Sequence, residues 1–416
     1  MELMNQPFTG QLGKRLIELL ESSDYHTLNI VVAFAKNSGI LRLKNSLESF
    51  RERGGIVNAY VGVDLGGTSY EALTALLLHT DSLNVVHSEN GQTFHAKIYQ
   101  LLGKEHGLIV VGSHNLTAGG LWTNFESSVI IPVENSSIKV CHISKEMENY
   151  FEQLASLGGS LMHIGGQGDI DKLLQNGYVF KEVAEQVRLA KAATQDGSQK
   201  RLFGNGAPVY LPRLDMPKKE KNTPVVSMAP VSPISNPFSD EDQTIWFETR
   251  SMTGGSRNIL DLSKKSLVER GDPKGTPFDL GYPKFMRGGV EFFGLDPAAT
   301  DQKKNITLNF EGVDYSGNEI LYPDGENANG TWRLQIKGKS SSDRKITDAF
   351  KAKGETYLLV KKVITFTKIQ DDYYYLSVFP ESEIENFKAA SHILAWNGST
   401  RNAKQLGLII KPLETP

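Results

Sequence analysis

The chain has a single cysteine, Cys141, in 416 residues. One thiol excludes an internal disulfide and any cysteine-rich zinc centre. It makes a reducing cytoplasm the expected compartment. Long apolar runs are also missing. Leu28 to Ala35 and Leu108 to Val111 are among the longest, far short of the roughly 20 residues that span a bilayer, so no membrane partner is expected. Met1 to Gly10 has no basic stretch leading into an apolar core, so no signal peptide is expected. The net charge is only −3, so any nucleic-acid partner must be sought in how charge is distributed rather than in its sum.

What is present divides the chain. Its length suits two ordinary domains. From Leu28 to about Gly159, apolar runs alternate with amphipathic stretches. Leu28–Ala35, Ile56–Val63, the stretch from Val85, His95–Leu101 and Leu108–Gly112 read as strands. Ile40–Arg53 and Ser69–Leu78 read as helices. This alternation predicts an α/β sandwich on a mixed sheet. Lys172 to Ala193 reads as helical, with a break at Asn176-Gly177. Seven of the 17 prolines then fall between Pro208 and Pro237, which predicts an extended tether. From Thr244 onward the pattern is β-rich, with alternating runs at Ile306–Phe310, Thr331–Ile336, Tyr357–Phe366 and Tyr373–Phe379 and one helical stretch at Ser382–Ala390. A small pseudobarrel of about seven strands is expected there. The boundaries predicted are 1–165 for the first domain, 166–243 for a helical and proline-rich linker, and 244–416 for the second.

The chemistry is concentrated in one stretch. His95-Ala96-Lys97, Gly112-Ser113-His114-Asn115 and Glu126 lie within 32 residues. Residues two apart on a strand share a face, so His95 and Lys97 project together. The loop at Gly112-Ser113 can present a hydroxyl, backbone N–H groups and the Asn115 amide to one ligand. A lysine supplies a point charge for a phosphate oxygen, and an asparagine amide supplies a donor. A neutral imidazole has the lone pair a nucleophile needs. Glu126 can accept from the other ring nitrogen of His95 and hold its tautomer. The set suits attack on a phosphodiester without a metal or other cofactor. His114 sits at the variable position of the motif and is left out, and the remaining histidines have no paired spacing.

These residues resemble the HKD motif of the phospholipase D superfamily, and more narrowly its restriction-endonuclease branch of the BfiI/NgoFVII type. The branch's His, Lys, Asn and Glu are carried here by His95, Lys97, Asn115 and Glu126. Ala33-Phe34 and Gly39-Ile40 are similar to its first strand and helix. The wider superfamily often has an aspartate shortly after the lysine, where this chain has Leu101-Leu102, and that departure favours nuclease over lipase. The resemblance covers roughly residues 15 to 165. It implies a PLD-like mixed-sheet sandwich, a phosphohistidine at His95, and a homodimer with one site on the two-fold axis. His-x-Lys occurs once in the chain, whereas the chemistry needs a second imidazole as general acid.

The second domain would then supply recognition. Arg250 to Arg287 carries eight Lys/Arg against four Asp/Glu, and Arg333 to Lys362 carries nine against three, so each is a candidate footprint for the phosphate backbone of double-stranded DNA. Asn329-Gly330-Thr331-Trp332-Arg333 is similar to a core strand of the B3-like DNA-binding pseudobarrel found fused to this nuclease type. By order along the chain, Ser256, Arg257 and Asn258 fall in its first arm, and Asn329, Thr331 and Arg333 near its second. Arginines pair with guanine edges and asparagines with adenine edges; Trp332 is expected in the core. The reading implied is a sequence-specific restriction endonuclease with a cognate methyltransferase. The alternatives are a lipid or non-specific phosphodiesterase, and the DNA-binding subunit of a complex whose separate translocase brings the ATP site that this chain lacks.

One motif stands apart. Asp64-Leu65-Gly66-Gly67-Thr68 matches the phosphate-binding opening of actin-like sugar kinases. There the turn joins two strands of a hairpin, whereas here it leads into a helix and no second signature follows. The loop is therefore expected at the rim of the nuclease site, with Asp64 and Thr68 shaping it.

Overall fold

A computed structural model describes residues 1–136, 139–140, 142–195, 206–207, 209, 211–214, 243–252, 257–323, 330–354 and 357–409. Cys141, Ser256, Asn329 and nearly all of the proline-rich stretch lie outside the described residues. The chain divides into two compact units, residues 1–182 with segments of 205–237, and residues 183–204, 216–228 and 238–416.

The first unit runs β1 (Glu2–Gln6), α1 (Leu12–Glu21), β2 (Tyr25–Val32), α2 (Asn37–Glu52), β3 (Ile56–Gly62), α3 (Tyr70–His79), β4 (Ser82–Val86), β5 (Lys97–Gly103), β6 (His106–Gly112), β7 (Glu126–Ser136), β8 (Lys139–Val140), α4 (His142–Ala155), β9 (Leu161–His163) and α5 (Gln167–Gln175). The sheet order is β1-β7-β6-β5-β2-β3-β4-β9, with β8 paired to β7. The pairs β2–β3 and β3–β4 are parallel, because α2 and α3 carry the chain back between them. The pairs from β2 through β5, β6 and β7 to β1 are antiparallel.

Helices cover both faces of this sheet, so the expected mixed α/β sandwich is what the chain forms. On one face, Leu28, Ile30 and Val32 of β2 and Val57, Ala59 and Val61 of β3 pack with Leu12, Leu16, Leu19 and Leu20 of α1 and the inner sides of α2, α3 and α5. The α1 leucines recur at helical spacing, and that stripe holds the helix down. Ser69 caps α3 by accepting from the Ala72 N–H at 3.0 Å. On the opposite face, Met147 of α4 packs with Ile109 and Val133. The predicted helix break is present: α5 ends at Gln175 and Gly177 takes a left-handed φ of +76°.

The second unit begins with α6 (Glu182–Gln195) and continues β10 (Thr244–Glu248), β11 (Ile259–Leu262), β12 (Lys265–Arg270), β13 (Phe285–Arg287), β14 (Lys303–Phe310), β15 (Val313–Leu321), β16 (Trp332–Gln335), α7 (Ile346–Ala352), β17 (Lys362–Gln370), β18 (Tyr373–Pro380), α8 (Ile384–Ala390), β19 (Ile393–Trp396) and β20 (Gln405–Ile409). Among the described residues its sheet has eleven strands, in the order β11-β16-β15-β14-β18-β17-β10-β20-β19-β12-β13, more than the seven expected. The additional strands are short or interrupted by polar residues, so they leave little alternation to read. One core gathers buried residues from many of these strands, with Phe247, Phe293, Trp332 and Phe366 among its largest members. A second forms where Val183, Val187 and Ala190 of α6 and Phe387 and Ala390 of α8 cover Trp246, Val363 and Leu394. This unit is β-rich, as predicted.

Candidate active site

The candidate residues converge at the ends of β5, β6 and β7. His95 lies in the irregular segment just before β5, and Lys97 is the first residue of that strand. His95 is exposed while Lys97 is 8% exposed. The Lys97 Nζ lies 2.7 Å from His95 Nδ1 and donates to the His95 carbonyl oxygen at 2.9 Å. Burial lowers the Lys97 pKa, and the charge of Glu126 opposes that shift, which puts the carboxylate within electrostatic reach of the ammonium.

Ser113 follows β6, and Glu126 opens β7. The Ser113 hydroxyl donates to Glu126 Oε2 and accepts from the Ser127 N–H at 3.1 Å, and the Ser113 N–H donates to the Ser127 carbonyl at 3.0 Å. Glu126 Oε1 accepts from Asn124 Nδ2 at 3.2 Å. The expected bond from Glu126 to the His95 ring is thus replaced by bonds to Ser113 and Asn124, while Lys97 occupies His95 Nδ1. The glycine before Ser113 is needed for close approach: a Cβ at Gly112 would stand 2.3 Å from the Ser127 carbonyl oxygen.

Asn115 is fixed from a third side. Its Oδ1 accepts from the Phe34 N–H at 3.2 Å, the Leu116 N–H donates to the Phe34 carbonyl at 3.0 Å, and Leu116 accepts from the Lys36 N–H at 3.0 Å. The Nδ2 hydrogens remain as the donors the Asn115 side chain can offer a ligand. Phe34 itself meets the His95 ring edge-on, with centroids 5.8 Å apart. Phe34 and Asn124 are contributors that sequence reasoning missed. Asn124 adjoins the Glu126 motif, but nothing in the sequence marks Phe34 as touching the imidazole. Among the described residues, no group of three or more His, Cys, Asp or Glu is placed to hold a metal ion.

His114 points away from this chemistry. It is 1% exposed, and neither ring nitrogen has a hydrogen-bond partner among the described residues. Burial pushes its pKa down to about 4. The folded protein therefore keeps the ring neutral where the unfolded chain protonates it. The stability this contributes is complete above pH ~6.5 and is lost as pH falls toward 4. Between pH 7 and pH 4.5, denaturant unfolding of the wild type is expected to lose about 2–3 kcal/mol more than His114→Phe. Equal losses in the two proteins would contradict this account of the ring.

The second-unit residues that the sequence marks as candidates for DNA contact lie at the starts of two adjoining strands. Arg257 and Asn258 precede β11, and Thr331 and Arg333 lie at β16, which pairs with β11 so that Asp261 faces Arg333. The Asn258 carbonyl accepts from the Ile336 N–H at 2.9 Å and extends that ladder. The Arg257 guanidinium stacks on Tyr357, 3.5 Å from the ring centroid. Thr331 and Arg333 are half-buried, while Trp332 between them is fully buried and donates its indole N–H to the Pro297 carbonyl, the core position expected of it. Ser256 and Asn329, the remaining arm residues, lie outside the described residues.

No family model matches the chain, and no curated protein does. Among solved structures, Nuc from Salmonella typhimurium, a phospholipase D family member, is 16% identical over 40% of this chain and 97% of its own, with a TM-score of 0.30. NucT from Helicobacter pylori is 13% identical over 39% of this chain and 98% of its own, with a TM-score of 0.28. Phosphatidylserine synthase from Haemophilus influenzae is 11% identical over 47% of this chain and 46% of its own, with a TM-score of 0.31.

Proposed function

We propose that the first unit is a phosphodiesterase of the phospholipase D type that cleaves DNA, and that the second unit selects the sequence, so that the whole chain acts as a restriction endonuclease. The observation that carries this reading is the 2.7 Å contact between Lys97 Nζ and His95 Nδ1, set beside Asn115 and the Ser113–Glu126 pair at neighbouring strand ends. While a charged Lys97 donates to Nδ1, the ring proton must sit on Nε2 and the nucleophilic lone pair is blocked. A phosphate oxygen drawing Lys97 Nζ to itself releases Nδ1, which can then take the proton and free Nε2 for attack. Substrate binding and activation of the nucleophile are thereby linked.

In the reaction so read, His95 Nε2 forms a bond to phosphorus as the bond to the leaving oxygen breaks. Lys97 and the Asn115 amide stabilise charge on the non-bridging oxygens. A proton must reach the leaving oxygen, and water must then displace the histidine. With one His-x-Lys per chain, the second imidazole comes from a second copy, as His95 of the partner subunit. The surface beside the site suits such an approach. Leu3 on the edge strand β1 and Val111 on β6 flank Val129 of β7, and both are exposed. Phe8 and Phe125, 71% and 65% exposed, stack on each other one residue from Glu126. Covering apolar surface of this kind favours association.

For the second unit, duplex DNA is the proposed ligand and a B3-like grip by the segments around Arg257 and Arg333 the proposed mode. Stacking on Tyr357 holds the Arg257 fork ready for a guanine edge. Arg257→Ala or Arg333→Ala is expected to weaken specific binding by ~1–3 kcal/mol while leaving non-specific binding nearly unchanged. Fluorescence anisotropy with specific and scrambled duplexes measures both, and wild-type discrimination in both variants would remove these residues from recognition. The reading as a whole is tested by digesting methylated and unmethylated plasmid DNA in excess EDTA. Discrete fragments from the unmethylated DNA are expected, and smeared or absent digestion with lipid phosphodiester turnover would instead favour the lipid enzyme.

A further inference from the structure

We propose that the Asp64–Thr68 loop is a positioning device for His95, in which one carboxylate clamps both ends of the segment that carries the imidazole. This rests on the reading of His95 as the nucleophile. The segment from His87 to Ala96 joins β4 to β5 without regular structure, so a side chain at its end needs external support to hold a reactive geometry. Asp64 provides it. Its Oδ1 lies 2.8 Å from His87 Nδ1, where the segment begins, and its Oδ2 accepts from the Phe94 N–H at 2.9 Å, one residue before His95. The carboxylate is buried, and both its oxygens are committed to this segment. His87 is backed in turn by the Tyr178 ring, met edge-on at 5.2 Å, and by Glu89, to which the Tyr178 hydroxyl donates.

Thr68 and Gly67 of the same motif support the chain around Phe34, whose ring meets the imidazole. Thr68 Oγ1 donates to the Gly62 carbonyl at 2.6 Å and accepts from the Ala35 N–H at 3.0 Å, tying the end of β3 to the residue after Phe34. Gly67 makes room for Phe34, because a Cβ there would stand 2.1 Å from a Phe34 ring carbon. That same ring meets His95 edge-on. Leu65, exposed and with a left-handed φ of 56°, gives the loop the sharp turn these contacts require. Asp64 therefore sets the backbone just before His95, and Gly67, through Phe34, sets the packing against its ring. The motif that looks like a kinase phosphate loop is explained as a scaffold, and Asp64 acts through His95 without touching substrate.

The test compares the full-length wild type with Asp64→Ala, Gly67→Ala and His95→Ala, reading steady-state DNA cleavage, thermal unfolding and amide hydrogen exchange across residues 87–96. Asp64→Ala is expected to lower kcat on the order of 100-fold with KM changed by less than about threefold. It is also expected to speed exchange at the Phe94 amide, a readout independent of activity. Gly67→Ala is expected to lower kcat by a similar factor while leaving Phe94 exchange unchanged. Wild-type kcat in Asp64→Ala, with His95→Ala inactive, would overturn the positioning role, and unchanged Phe94 exchange would overturn the clamp. If His95→Ala keeps full activity, the nucleophile reading fails instead, and exchange at Phe94 still decides whether the clamp exists. If Asp64→Ala does not fold, His87→Ala releases one end alone. It is expected to speed exchange early in the segment and lower kcat roughly tenfold; wild-type values for both would overturn the proposal.

Discussion

Replacing His95 with alanine is expected to lower DNA cleavage by on the order of 10⁴-fold or more, while binding of the recognition duplex stays at the wild-type level. The two effects separate because His95 belongs to the first unit and is exposed at a strand end, whereas Arg257, Asn258, Thr331 and Arg333 belong to the second. Lys97→Ala should produce a smaller loss of kcat with a rise in KM, because it removes the proposed phosphate contact as well as the hydrogen bond to His95 Nδ1. Cleavage by His95→Ala within about tenfold of wild type would mean that another group attacks phosphorus.

The second large effect concerns subunit composition. If two copies each contribute one His95 to a shared site, a mixed dimer of wild-type and His95→Ala chains holds a single imidazole. Such a dimer has a nucleophile without a general acid, or the reverse. At constant total protein, co-refolded mixtures should lose activity as the square of the wild-type fraction, so an equal mixture retains about a quarter rather than a half. A linear decline would show that each chain works alone. The apolar residues beside the site give an independent check: Leu3→Glu with Val111→Glu places charge on the proposed contact and is expected to halve the mass in light scattering and remove cleavage together. A charged variant that stays dimeric and active would place any dimer contact elsewhere on the surface.

The sequence made the first unit legible because its strands are buried runs bounded by turns, and because His95, Lys97, Ser113, Asn115 and Glu126 belong to one spaced motif. The structure gathers them at adjoining strand ends. The partner of Glu126 was not legible. Spacing puts a carboxylate near an imidazole, but the hydroxyl of Ser113 and the amide of Asn124 lie nearer along the ladder and take it. Elements at the margins were also missed. Strand β1 is short and half polar, and α4 reads only once Met147 is seen against Ile109 and Val133. In the second unit β-richness was visible, but the strand count was not, since Ile259–Leu262, Phe285–Arg287 and Ile393–Trp396 are too short to alternate convincingly. The role of Asp64 was hidden for a different reason. The hydrogen bond to the Phe94 N–H depends on main-chain geometry 30 residues away, which side-chain patterning does not encode.

The proposed chemistry has a distinctive intermediate. A phosphoramidate between His95 and the DNA is stable to alkali and labile to acid, unlike a phosphoserine or phosphothreonine ester. End-labelled duplex mixed with the protein in EDTA for one turnover and quenched in alkaline detergent is therefore the most direct measurement. The account predicts a labelled protein band that disappears on mild acid treatment, maps to the peptide containing His95, and is absent with His95→Ala. A labelled band that survives acid, or persists in His95→Ala, would contradict it.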